Sequence, residues 1–237
     1  MYKKLDIVII SYAKDDYCKN ITEECLNSLL SSEDNSDNIF NIIVVESQPE
    51  VTWEYLSKSI TTLPAHLPYG YHKFLNYGRK NGSSEWVALC NNDLNFTKHW
   101  FTKILKAYES DTSFISFSPI CPMTQTLYGI NPHTGNIPGY EIRKHISGWC
   151  IVHRREIYEK IGDLDERFYH WFCDNDYSME LLTRGIKHML VTDSIVIHHD
   201  KNIGKITEKV VQTNEEMYRL TSGSIHIFKE KWKKYIL

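Results

Sequence analysis

The sequence predicts an α/β fold, a mostly parallel central sheet flanked by helices, built as a single compact domain. Three observations predict it. Short apolar runs alternate with segments of helical periodicity. Several of those runs are apolar on both faces, as strands covered by helices on both sides must be. The length of 237 residues, 42% hydrophobic and 24% charged, suits one domain with a sizeable core.

Leu5 to Ile10, broken only by Asp6, reads as a buried strand. Asn20 to Leu30 places Ile21, Cys25, Leu26, Leu29 and Leu30 on one helical face. A polar loop from Ser31 to Asn38 leads to a second strand, Ile39 to Val45, and then to a short helix, Val51 to Ile60. Asn76-Tyr77-Gly78 reads as a turn. Trp86 to Cys90 is a strand, Thr97 to Tyr108 an amphipathic helix, and Phe114 to Ser118 a strand again. The span 120–147, with Pro122, Pro132 and Pro138, predicts a long loop that orders as a flap over substrate. Gly148 to His153 is a strand and Arg154 to Ile161 a helix. Asp174 to Arg184 is a helix that Gly185 ends, Ser194 to His198 a late strand, and the tail from Ile206 a helix.

Composition excludes several classes. Twenty-seven basic against 30 acidic residues give a net charge of −3, which argues against a chain held on nucleic acid mainly by charge. No apolar run approaches the roughly 18–20 residues of a membrane span, and Met1 to Ser11 does not read as a signal peptide. Six cysteines without a C-x-x-C pair read as reduced thiols, so the expected location is cytoplasmic. No G-x-G-x-x-G, G-x-x-x-x-G-K-[ST] or G-x-S-x-G occurs, which disfavours dinucleotide-binding, P-loop and α/β-hydrolase readings.

In an open parallel sheet, ligands bind beyond the carboxyl ends of the strands. Here those ends carry Ser11 and Tyr12, Glu46 and Ser47, Asn91-Asn92-Asp93, and His198-His199. Four such ends on one rim suit a nucleotide and a metal. Asn91-Asn92-Asp93 reads either as an Asx turn or as an oxygen-rich site for a divalent cation beside a diphosphate. The paired imidazoles are either strand-end polar residues or one ligand, which would favour Mn²⁺ over Mg²⁺. Asp174 and Asp176 open a helix, so each is either a cap or a general base.

Taken in order, these pieces resemble the family 2 glycosyltransferases of the GT-A fold. The resembling segments are Leu5 to Tyr12, Ile42 to Ser47, Tyr69 to Gly78, Asn91-Asn92-Asp93, Gly148 to Phe168, Phe172 to Asp176, and Val196-Ile197-His198. The chain departs from the family pattern at Glu46 and Cys173, where Asp and Glu are usual, and lacks the first Asn of the N-x-G pair. The resemblance implies an inverting, metal-dependent transfer from a nucleotide-sugar, a UDP-sugar being favoured. The acceptor hydroxyl would belong to a glycan, a protein or another molecule, a nucleic-acid base included. It implies Asp174 as base and Asp93 and His198 as metal ligands. It further implies Ser11, Tyr12, Glu46, Lys73, Asn76, Asn91, Asn92 and Asp93 at the donor. Residues 1–95 would form the donor half and 96–237 the acceptor half with its C-terminal helix. The rival readings are a catalytically impaired binding protein of this fold and a metal-dependent phosphoesterase.

Overall fold

The structure, a computed structural model, describes residues 5–48, 50, 60–199, 215, 218 and 223–235. The helix expected over Val51 to Ile60 lies outside them except for its last residue, as does most of the tail from Ile206.

The first half is a run of parallel strands. β1 (Leu5–Ser11) lies between β2 (Phe40–Glu46) and β4 (Trp86–Cys90), and β3 (Ile60–Pro64) flanks β2. α1 (Asp16–Leu30) starts at Asp15, whose Oδ1 accepts the Cys18 N–H at 2.9 Å. That cap extends the helix a turn ahead of its apolar stripe. The turn α2 (Ser36–Ile39) interrupts the polar loop before β2.

The second half is mixed. β6 (Phe114–Ile120) pairs parallel with β9 (Lys187–His198). β8 (Cys150–Arg154) enters antiparallel between β4 and β6. β5 (Leu94–Phe96) and β7 (Ile137–Pro138) run antiparallel to β9. The expected parallel order therefore holds through β1–β4 and for β6–β9, and gives way around β8. The helices are α3 (Tyr71–Lys80), α4 (Trp100–Ser110), α5 (Pro122–Gln125), α6 (Ile157–Ile161), α7 (Cys173–Thr183) and α8 (Gly223–Lys231). Buried residues on one side of the sheet, Ile7, Trp86, Trp100 and Phe117 among them, pack with α1 and α4. Val8, Phe74, Ile151 and Tyr177 pack with α3 and α7 on the other.

Two expectations are corrected. Asn76-Tyr77-Gly78 is helical, not a turn. Gly78 is where α3 meets the sheet, and a side-chain carbon there would stand 2.4 Å from Val8 Cγ1. The span 120–147 is not a bare loop. It carries α5, a 3₁₀ turn over Thr126–Tyr128 and β7, and buried Gln125 ties it by donating to Arg143 O (2.9 Å) and Ser147 Oγ (3.1 Å).

Polar staples join the halves. Asp6, inside β1, is fully buried and accepts from Asn41 Nδ2 (2.7 Å), Ser84 Oγ (2.6 Å) and Ser84 N (2.9 Å), and it pairs with Arg155 after β8. Breaking a buried pair leaves the partner's charge without compensation. Asp6→Ala is therefore expected to lower unfolding stability by about 3–5 kcal/mol. Denaturant melts would show it, and a loss below about 1 kcal/mol would mean that Arg155 re-solvates freely.

Candidate active site

The rim at the carboxyl ends of β1, β2 and β4 is built by side chains that hold one another. Ser11 Oγ lies 3.1 Å from Thr22 Oγ1 on α1, and Asn92 Nδ2 donates to that same Oγ1 at 2.9 Å. Glu46 Oε1 accepts the N–H groups of Ala13 (3.1 Å) and Gln48 (2.8 Å), fixing the loops after β1 and β2. Its Oε2 is buried without a hydrogen-bond partner, an acceptor that a bound donor group would satisfy. Tyr12 stands beside it, part-buried, and that desolvation holds its hydroxyl pKa above the ordinary tyrosine value. Lys73 is half-buried on α3.

Asn76 has another role. Its carboxamide donates to Leu164 O (2.8 Å) and accepts from Leu164 N (3.1 Å). It thus imitates a strand partner for the 163–166 segment. The structure does not bring its side chain together with the other rim residues.

β5 folds the 91–93 turn back on β9, setting Leu94 opposite His198. Asp93 Oδ1 thereby stands 3.3 Å from His198 Nε2, both residues being buried. His199 is exposed and only its backbone N–H meets Asp93 O, at 3.1 Å. Of the two imidazoles, His198 is the one at the carboxylate. Its ring stacks parallel on Trp149, centroids 5.1 Å apart. Asn91 Nδ2 lies 3.5 Å from His198 Nε2, while its Oδ1 accepts the Tyr71 hydroxyl proton at 2.8 Å.

Among the described residues no group of three or more His, Cys, Asp or Glu side chains is placed to hold a metal. The pair still fits a cation. Asp93 Oδ1 is a buried oxygen without a hydrogen-bond donor, and one carboxylate with one imidazole is a donor set suited to Mn²⁺.

Asp174, in the first turn of α7, is half-buried. Its Oδ1 accepts the Asn175 N–H at 2.9 Å. A cavity of about 20 Å³ lies behind it, lined by Tyr71, Leu75, Leu89, Ile151 and Leu164. Desolvation there raises the carboxyl pKa, against backbone hydrogen bonds and the charge of Arg143, which lower it. Gly148 passes so close that a side-chain carbon on it would stand 2.8 Å from Asp174 Oδ2. Asp176, two residues on, is buried and committed elsewhere: it accepts Trp232 Nε1–H at 2.8 Å and pairs with Lys231 at 2.8 Å. Sequence reasoning missed Tyr71, the closeness of Gly148 and the hold on Asp176. Only the aromatic-basic run Phe228 to Trp232 hinted at the last.

A concavity of about 600 Å³ is a groove between residues 33–39 and α4, away from this rim. Its buried carboxylate, Glu33, caps α4 by accepting the Phe101 (2.9 Å) and Thr102 (3.1 Å) N–H groups. Ionisable groups from separate elements converge instead at the rim.

The family model for glycosyl transferase family 2 matches residues 6–162, more than half of the chain. No curated protein matches. The chain superposes on GalNAc-T7, whose crystal structure holds UDP, GalNAc and Mn²⁺, with a TM-score of 0.62 at 10% identity, covering 82% of this chain and 43% of that one. It superposes on the mannosyltransferase PcManGT from Pyrobaculum calidifontis, in complex with GDP-Man and Mn²⁺, with a TM-score of 0.66 at 12% identity, covering 97% of this chain and 65% of that one. The chain therefore spans less than two thirds of either neighbour. The fold is that of a GT-A glycosyltransferase domain. More particularly, the chain belongs to glycosyl transferase family 2. No helix among the described residues is long and apolar enough to cross a membrane.

Proposed function

We propose that the protein transfers a sugar from a nucleotide-sugar, a UDP-sugar being favoured, to an acceptor hydroxyl, with inversion and with a divalent cation. The observation that carries this reading is the contrast within α7. Asp176 is held by Lys231 and Trp232, whereas Asp174 keeps part of its surface open and no salt bridge is formed to it among the described residues. Its raised proton affinity suits a base that must take a proton from an alcohol.

The acceptor oxygen attacks the anomeric carbon while Asp174 takes its proton. The sugar–phosphate bond breaks, and its electron pair leaves with the nucleoside diphosphate. One base and no protein nucleophile give inversion at the anomeric carbon. Ser11, Tyr12, Glu46, Lys73, Asn91 and Asn92 orient the donor, and Asn76 shapes the pocket by holding Leu164. A divalent cation held by Asp93 and His198 would neutralise the leaving diphosphate as a Lewis acid. The two neighbours carry different nucleotides, UDP in one and GDP in the other.

A thermal-shift panel with Mn²⁺ separates these. UDP is expected to raise the melting temperature more than GDP, by the linkage of binding to folding. The matching UDP-sugar should then turn over only with an acceptor present. Release of nucleotide independent of any acceptor would favour the phosphoesterase. Stabilisation without any turnover would favour a binding protein.

A further inference from the structure

The base helix has a second support that the reaction as described does not use. α8 and the residue after it meet α7 and the segment before it through three side chains, Phe228, Lys231 and Trp232. The Phe228 ring lies 5.3 Å from that of Phe172, the residue preceding α7, which itself sits in the left-handed region at φ 66°. Lys231 Nζ reaches three carboxylates: Asp176 at 2.8 Å, Glu180 at 2.9 Å and Asp165 at 3.3 Å. Trp232, buried, donates its indole N–H to Asp176 Oδ1 at 2.8 Å.

Here we infer that Lys231 and Trp232 are positioning residues: α8 locks the first turn of α7 so that Asp174, two residues from the locked Asp176, faces the acceptor hydroxyl. This rests on the reading of Asp174 as the base.

The charges explain why a lock is needed. Asp165, Asp176 and Glu180 surround one site, and without a cation among them they repel one another. Arg167 pairs with Asp165 and Arg184 with Glu180, each at 2.7 Å, but Lys231 is the one cation that reaches all three, and among the described ion pairs it is the one made to Asp176. Burial works against the ammonium, yet its hydrogen bonds with Asp176 and Glu180 outweigh that and hold its pKa above the ordinary lysine value. Asp174 has little freedom in the opposite direction, because the Gly148 backbone passes so close that a side-chain carbon added there would stand 2.8 Å from its Cβ and Oδ2. A base gripped between Gly148 on one side and a helix turn on the other loses its geometry if that turn relaxes. A misplacement of about 1 Å can cost about a hundredfold in rate.

The test uses the full chain and steady-state kinetics with the donor found by the thermal-shift panel. Lys231→Met, which keeps length but not charge, should lower kcat by about 10–100-fold and leave donor KM unchanged. Lys231→Arg should restore most of the rate. Trp232→Phe, which removes the indole N–H and one ring of the side chain, should lower kcat by a smaller factor in the same direction. Because the lock acts through the base, adding Lys231→Met to Asp174→Asn should cost nothing further in kcat. Hydrogen exchange gives a readout apart from activity: Lys231→Met should raise exchange at residues 173–178 but not in β1 or β4.

Several results would overturn the inference. One is a kcat for Lys231→Met within about twofold of the parent while exchange at α7 rises, since the contacts would then be structural only. A multiplicative loss on top of Asp174→Asn would place Lys231 in some other role. Unchanged exchange would show that α8 does not hold α7. Normal turnover by Asp174→Asn alone is a different failure. It would remove the base assignment, and with it the reading on which the lock depends.

Discussion

Asp174→Asn is expected to lower turnover by at least about a hundredfold without loss of fold or donor binding. The carboxamide still offers an oxygen to the Asn175 N–H, so the hydrogen bond at the start of α7 survives. Stability should not fall at neutral pH. Desolvation raises the folded pKa of Asp174 above its unfolded value. Between those two values the folded state binds more protons, so stability declines as pH rises through that window. The contribution is complete below the unfolded pKa and gone above the folded one. At neutral pH the buried charge is therefore a cost, and the neutral Asn removes it, so the melting temperature is expected to hold or rise. Turnover of the parent enzyme should instead climb with pH as Asp174 loses its proton, then level off. Asp176→Asn provides the contrast. It leaves Lys231 with a weakened partner in a buried site, so its main effect is a lower melting temperature. A dead Asp176→Asn beside an active Asp174→Asn would transfer the role of base to Asp176.

The strands and the rim were legible because their signals are local. β1, β2 and β4 are apolar on both faces, and the polar residues that end them sit where an α/β sheet puts its ligands. α3 was not legible, because polar residues break up the face it buries beside Phe74 and Leu75. His72, Asn76 and Arg79 are buried there, and they bind Asp165 O, Leu164 and Asp163 across the fold. Such a helix mixes polar residues into the apolar stripe by which helices are recognised. The first part of β9 was missed for a similar reason. Thr192 and Ser194 interrupt its apolar pattern, yet their hydroxyls donate to Gly135 O (3.0 Å) and Trp100 O (2.8 Å). β5 is three residues long, too short to show a period, although it sets Asp93 against His198. At the site, residue types were legible and their partners were not. Nothing near Asp176 in sequence announces Lys231, 55 residues away. Nothing near Asn91 announces that Tyr71 takes its carbonyl oxygen.

Asp93→Ala is expected to cost at least about a hundredfold in turnover, the size of the charge stabilisation a Lewis acid supplies at a leaving group. Excess chelator should have the same effect on the parent enzyme, with Mn²⁺ restoring activity to the parent but not to the variant. Stability should move the other way. Asp93 Oδ1 is buried without a hydrogen-bond donor, so the metal-free protein already carries the desolvation of that oxygen. Removing the carboxylate relieves it, and the metal-free variant should melt no lower than the metal-free parent. The two proteins should differ chiefly when Mn²⁺ and nucleotide are added together: the parent gains stability by binding linkage, and the variant gains little. His198→Gln should reproduce that loss of stabilisation while His199→Gln should not, because only His198 stands at the carboxylate, 3.3 Å from Asp93 Oδ1. Full turnover in excess chelator would remove the cation from the reaction. Asp93 would then be a turn residue whose buried oxygen is satisfied by the donor itself, and the leaving diphosphate would be neutralised by protein groups alone.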